Sequence, residues 1–182
     1  EFVSRDWSSD VCSSDLTRRP KQSDACERAL IDADGSATGH ATFRETPHDW
    51  NSFSASFLTG RGLALVAEDS DTLAAWGGIS PTSTRQVYEG VGEVSIYVSA
   101  TRQNCGVGRR LLEDLALASE CAGYWTLVAQ IFPENEASLS LHRALGFTTV
   151  GTRTKLGKMT YGPLEGCWRD VMMLERRSEV VS

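Results

Sequence analysis

A chain of 182 residues with 41% hydrophobic and 23% charged side chains has the size and composition of one globular domain, which excludes a disordered chain and two substantial domains. A net charge of −6 and an isoelectric point near 5.1 argue against nonspecific nucleic-acid or anionic-membrane binding, and no apolar stretch reaches the roughly 20 residues that span a bilayer. Five cysteines, an odd number without a CxxC pair, read neither as a disulfide framework nor as a metal site, so a cytoplasmic protein without a metal centre is expected.

Residues 1–16 carry no usable periodicity, and the run from Asp6 to Leu16 looks like a translated short-read sequencing adapter. Gene-derived sequence is therefore expected to start near Thr17, leaving residues 17–182 as the domain; a polar disordered tail is the other reading. From Gln22 to Asp34, Ala25, Ala29, Leu30 and Ala33 recur at helical spacing behind a capping Ser23 or Asp24. Asp49-Trp50 opens a second helix with Trp50, Phe53 and Phe57 on one face and Gly60 beyond its end. Leu63–Glu68 and Thr72–Ile79 form a hairpin about Asp69-Ser70-Asp71, and Glu93–Ser99 is a third β-run. The clearest helix runs from Gly106 to Ala122, with Val107, Leu111, Leu112, Leu115 and Ala118 on one stripe. Trp125–Phe132, apolar on both faces, reads as a strand in the middle of a sheet. Asn135 caps a short helix whose inner face is read as Ala137, Leu141, Ala144 and Leu145, and Phe147–Lys155 and Trp168–Glu175 close the pattern as strands. This order predicts an α/β (α+β) domain: a mixed central sheet with helices on both faces.

The chemistry concentrates where the third β-run turns into the long helix. Gly106 and Gly108 let a bulky anion approach the backbone, the free amides of the first helical turn point at it, and Arg109 and Arg110 add positive charge. Glycines that merely permit tight packing are the competing reading. A third glycine and a closing acidic residue are missing for a dinucleotide fingerprint, and no Gly-Lys-Ser/Thr ending makes it a P-loop.

The stretch Gln103-Asn104-Cys105-Gly106-Val107-Gly108, with Asn135, Ser138, His142 and Leu145-Gly146-Phe147 further on, resembles the acyl-CoA-binding signature of the GNAT superfamily of N-acetyltransferases. Narrower motifs resemble its phosphinothricin N-acetyltransferase branch: Val87 to Val98, Phe132-Pro133-Glu134-Asn135, Gly157-Lys158-Met159 and Trp168-Arg169-Asp170-Val171. The resemblance implies acetyl-CoA as cosubstrate, with the 103–109 loop, Arg109 included, around its diphosphate. It also implies that the backbone of Ile96, Tyr97 and Val98 pairs with the pantetheine arm, and that Asn135 and Ser138 lie along it. His142 stands where the family often has a tyrosine that protonates the departing thiolate; a structural histidine is the other reading. A homodimer is expected only because the branch commonly forms one.

Amide formation needs a base, because only the neutral amine attacks a thioester. The branch's catalytic carboxylate falls on Glu93, with a strand amide, Val98, as the donor to the developing oxyanion. Arg85 and Arg44 are candidates for gripping an acidic small-molecule amine substrate, and Phe43 and Tyr88 for walling it; exposed charges and core aromatics are the competing readings. Two departures from the family stand out. Thr17-Arg18-Arg19-Pro20 lacks the apolar alternation of the family's opening strand, which is therefore expected to be truncated, and Thr160–Glu165 looks like a loop insertion near the substrate mouth or a dimer contact. The leading function is acetyl transfer to a small amino acid or analogue. Acetylation of a protein or peptide amine and a noncatalytic CoA-binding role are the alternatives.

Overall fold

The computed structural model describes residues 17–69 and 72–181; the adapter-like segment and part of the 69–71 turn lie outside them. Among the described residues seven strands form one sheet: β1 (Thr17–Arg18), β2 (Leu63–Asp69), β3 (Thr72–Pro81), β4 (Val91–Val98), β5 (Thr126–Ile131), β6 (Thr148–Lys158) and β7 (Trp168–Arg177). Their spatial order is β1-β2-β3-β4-β5-β7-β6, antiparallel except for the β4–β5 pair. Four helices flank it: α1 (Ala25–Ala37), α2 (Trp50–Phe57), α3 (Val107–Cys121) and α4 (Glu136–Ala144).

The pleat sorts the core. Ala75 and Ile79 of β3 and Val94 of β4 face α3, whose Leu111, Leu112 and Leu115 are fully buried. Each such side chain contributes about 1.5–3 kcal/mol of burial. Trp76, one residue out of phase, turns to the opposite face and packs with Phe53 and Phe57 of α2 and Ile31 of α1. The expected architecture of helices on both faces is thus observed, and β5 does lie inside the sheet. The opening strand is two residues long among the described residues, Thr17 opposite Ala67 and Arg18 opposite Val66.

Two helical faces differ from the sequence reading. On α1 the buried positions are Arg28, Ile31, Asp32 and Ser36, while Leu30 is exposed. The apolar spacing picked the wrong stripe because a paired Arg and Asp occupy the true one. On α4 the buried residues are Leu139 and His142, with Ala137 and Ala144 exposed, so the phase is set by one leucine and an imidazole.

Candidate active site

The site begins with a defect in the sheet. The β4–β5 ladder pairs only Val91–Glu93 with Thr126–Val128, and beyond it the two strands part. The amide of Ser99 donates to the carbonyl of Ala74 at 2.9 Å, so antiparallel alternation turns the N–H groups of Ile96 and Val98, beyond the end of the β4–β5 ladder, away from β3 and toward the gap. Unpaired strand amides facing a cleft are a template for an extended, amide-bearing ligand. A cavity of about 260 Å³ occupies the gap, walled by β4, by Gln130 and Ile131 of β5 and Phe132 just after it, by Asn135, Ser138 and His142, and by the 40–43 segment. A second cavity of about 530 Å³ opens on the α1–α2 side, with Arg44, His48 and Asp32 in its wall. Thr42, Glu93, Ser95 and Tyr97 line both cavities. Glu93 therefore stands at their junction, and Gln130 reaches across the gap to donate its Nε2–H to Glu93 Oε2 at 3.0 Å. Nothing in the sequence marked Gln130, an alternating polar residue on an otherwise apolar strand.

The loop at the head of α3 has the geometry of an anion-binding turn. Asn104 (φ 61°) and Gly106 (φ 82°) both adopt the left-handed conformation, and a Cβ at Gly106 would meet nothing within 4 Å. The first intrahelical bond runs from Arg110 N–H to the Gly106 carbonyl at 3.1 Å, so the Val107, Gly108 and Arg109 amides have no intrahelical acceptor. Gly108 serves another end. A Cβ there would lie 3.1 Å from Val98 Cγ2 and 3.6 Å from Leu141 Cδ2, so its glycine lets α3 close onto β4 and α4 rather than opening an approach for the ligand. Arg109 and Arg110 carry exposed ion pairs to Glu113 (3.0 Å) and Asp114 (3.2 Å). Such pairs are weak enough for an anion at the loop to compete with them. Gln103 and Cys105 are exposed in the same loop, and the Cys105 thiol turns back to the Gln103 carbonyl.

Asn135 reaches the cleft with its amide already used: Oδ1 accepts from Ser138 N–H and Nδ2 donates to the His40 carbonyl, both at 3.1 Å. It both caps α4 and fastens the 40–43 segment. Arg169 fastens the same segment, donating to the Gly39 carbonyl at 2.6 Å and pairing with Glu134 at 2.9 Å. The Thr160–Glu165 insertion joins in through the Tyr161 hydroxyl, which donates to the Thr42 carbonyl at 2.7 Å, so this loop lies at the mouth of the cleft. Phe43 walls the cleft edge-on to Phe132, with ring centroids 4.8 Å apart. Arg85 and Tyr88 fall elsewhere: both are exposed in the β3–β4 connection and line neither cavity, leaving Arg44 as the candidate arginine in the wall of the second cavity. Their placement had rested on resemblance in a loop, the least transferable part of a fold.

His142 is 2% exposed, stands edge-on to Phe147, and holds Nδ1 2.8 Å from the Ser138 carbonyl. A carbonyl only accepts, so Nδ1 carries the proton and Nε2 of the neutral ring is an acceptor. Burial pushes this imidazole below its usual range, outweighing the Ser138 carbonyl. His48 is pushed down from 6.5 to about 4, by burial first and then by Arg44 and Arg28. For both, the unfolded ring binds protons that the folded one refuses. Their stabilisation is complete above the unfolded value and is lost as pH falls toward the folded one. The thermal midpoint is thus expected to fall between pH ~7 and pH ~5, with a shallower slope in His142→Gln than in wild type; parallel slopes would contradict the assignment.

The comparisons with known proteins agree with this geometry. A family model described as the acetyltransferase (GNAT) family matches residues 7–147. A phosphinothricin N-acetyltransferase of Streptomyces viridochromogenes is 32% identical over 145 residues, 80% of this chain and 76% of that protein. An L-methionine sulfoximine/L-methionine sulfone acetyltransferase of Pseudomonas aeruginosa is 28% identical over 148 residues, covering 79% and 82%. The crystal structure of a GNAT-superfamily phosphinothricin acetyltransferase from Sinorhizobium meliloti, in complex with acetyl-CoA, superposes with a TM-score of 0.79 at 28% identity, over 88% of this chain and 86% of that one. The chain belongs to the acetyltransferase (GNAT) family, as an N-acetyltransferase of its phosphinothricin-acetyltransferase-like branch.

Proposed function

We propose that the protein transfers acetyl from acetyl-CoA to the primary amine of a small amino acid or analogue such as phosphinothricin, with Glu93 as general base. The observation that carries this reading is the position of Glu93 between two cavities, one with unpaired β4 amides and the anion-binding head of α3, the other with Arg44. Acetyl-CoA fits the first: the Val107–Arg109 amides would hold its diphosphate, and Ile96 and Val98 its pantetheine amides. When bound it supplies the acyl group as an activated thioester. Arg44 offers a bidentate grip on an acidic group of the acceptor.

The proton inventory follows. Glu93 takes the ammonium proton and frees the nitrogen lone pair. The C–N bond forms and the C–S bond breaks, with the Val98 amide turned toward the carbonyl oxygen. The second nitrogen proton passes to the departing sulfur through Nε2 of His142, which suits a ring whose Nδ1–H is committed to Ser138. We also take residues 17–182 as the catalytic domain, acting as a cytoplasmic homodimer. Cys26, Cys105, Cys121 and Cys167 are free and exposed, as a reducing compartment would leave them. No helix among the described residues is long and apolar enough to cross a membrane.

The test is thiol release from acetyl-CoA with phosphinothricin, L-methionine sulfoximine, unmodified amino acids and an N-terminal peptide as acceptors. Saturable release with a free amino acid or analogue is expected. Turnover of the peptide alone would favour a protein acetyltransferase, and release with none would remove the reading.

A further inference from the structure

The acceptor-side cavity is backed by something that neither the family pattern nor the mechanism uses: an ion pair sealed inside α1. Arg28 is 0% and Asp32 5% exposed, and Arg28 Nη1 donates to Asp32 Oδ2 at 2.7 Å. The other carboxylate oxygen, Oδ1, accepts from the indole N–H of Trp76 at 2.7 Å. Trp76 in turn stacks on Tyr97, its cross-strand neighbour, with centroids 4.9 Å apart and planes 12° from parallel. The second guanidinium nitrogen, Nη2, donates to the carbonyl of His48, and the guanidinium lies over the Phe53 ring at 4.4 Å. Asp32, Trp76, Tyr97 and His48 all line the acceptor-side cavity.

A buried pair of this kind costs desolvation that apolar side chains of the same volume avoid. Here the cost is visible, because Arg28 Nε is buried without a partner. What a leucine or methionine at either position lacks is a hydrogen bond to an indole on one side and to a loop carbonyl on the other. We propose that the Arg28–Asp32 pair positions the acceptor pocket: Asp32 holds the Trp76–Tyr97 stack as one wall, and Arg28 holds the His48 backbone as the facing wall. Both are positioning residues that act through other groups, and the acceptor role of this cavity rests on the function proposed above. Tyr97 lies on the same face of β4 as Ser95 and Glu93, so a tilt of its ring changes where an amine sits relative to the base. The hydrogen bonds of Arg28 and Asp32 run to each other, to the His48 carbonyl and to Trp76, not to the gap-facing β4 amides or the α3 head.

Two double variants separate positioning from plain stability. Arg28→Met/Asp32→Leu removes both charges and the indole acceptor. Arg28→Met/Asp32→Asn removes the charges but leaves an amide oxygen for Trp76. With phosphinothricin and L-methionine sulfoximine as acceptors, the first is expected to raise acceptor KM about tenfold while acetyl-CoA Kd stays within about twofold. The second is expected to recover part of that loss. An unchanged acceptor KM in the first, or equal KM values in the two, would overturn the proposal. Indole N–H exchange of the wild-type protein, with Trp76 assigned through Trp76→Phe, decides the point without the two double variants and independently of acceptor identity. Strong protection is expected, and exchange as fast as an exposed indole would overturn the wall-holding role. If wild type turns over no acceptor, the function proposed above fails, while the exchange measurement still judges the pair.

Discussion

Replacing Glu93 with glutamine is expected to lower kcat about 10²–10⁴-fold while acetyl-CoA Kd stays close to wild type. The separation follows from where the side chain sits. Glu93 is at the end of the β4–β5 ladder, where the strands part, and its carboxylate touches Gln130 rather than the α3 head. An amide of the same shape keeps the hydrogen-bonding contact in altered polarity but accepts no proton from an ammonium group. A base lost from the chemical step lowers kcat and kcat/KM together, whereas a lost binding group shows first in KM. Stopped-flow thiol release alongside equilibrium binding of acetyl-CoA reads both quantities. A variant with wild-type turnover removes Glu93 from the mechanism, and one that loses acetyl-CoA binding makes it a cofactor-site residue.

The second large effect is expected at the opposite end of the cofactor cleft. Gly106→Val is expected to weaken acetyl-CoA binding about 10–100-fold and to cost about 1–2 kcal/mol of stability. Its φ of 82° disfavours any L side chain, a β-branched one most of all. The surrounding space is open, so the stability loss comes from backbone strain and not from a clash. Relaxing that strain swings the Val107–Arg109 amides off their common focus, and the added methyl groups occupy the ligand's approach. Titration calorimetry with acetyl-CoA and with CoA should show the same loss, because both carry the diphosphate. Undiminished affinity would mean that the diphosphate lies elsewhere. Gly108→Ala is a different experiment: its methyl group presses on Val98, so packing between α3 and β4 is what it disturbs.

What the sequence made legible was local. Two glycines at a helix start mark Gln103–Gly108 as a place where an anion can approach, but on their own they leave tight packing open, and the resemblance to the family signature is what separates the two readings. Glu93 enters through the resemblance, which puts the branch's catalytic carboxylate at the start of the third β-run; the strand itself begins two residues earlier, at Val91. The long-range partners were not readable. Gln130 is one polar residue in β5, and only the parting of the strands brings it to Glu93. Arg28 and Asp32 carry no such signal, because apolar periodicity treats charged residues as solvent-facing, a rule that fails when two charges neutralise each other in the interior. The same blind spot shifted the reading of α4, where a histidine fills a core position. Arg85 and Tyr88 illustrate a different limit: loop residues carry no periodicity, so nothing in the chain corrects a placement taken from resemblance.

Acetyl-CoA titrated into ¹⁵N-labelled protein tests most directly whether the parted strands and the α3 head form one cofactor site. The largest amide shift changes are expected at Ile96, Val98 and Val107–Arg109, with the Gln130 side-chain amide moving as its neighbour Glu93 meets the thioester end. Saturating binding that leaves these amides in place, with changes mapping instead to another face of the sheet, would contradict the account.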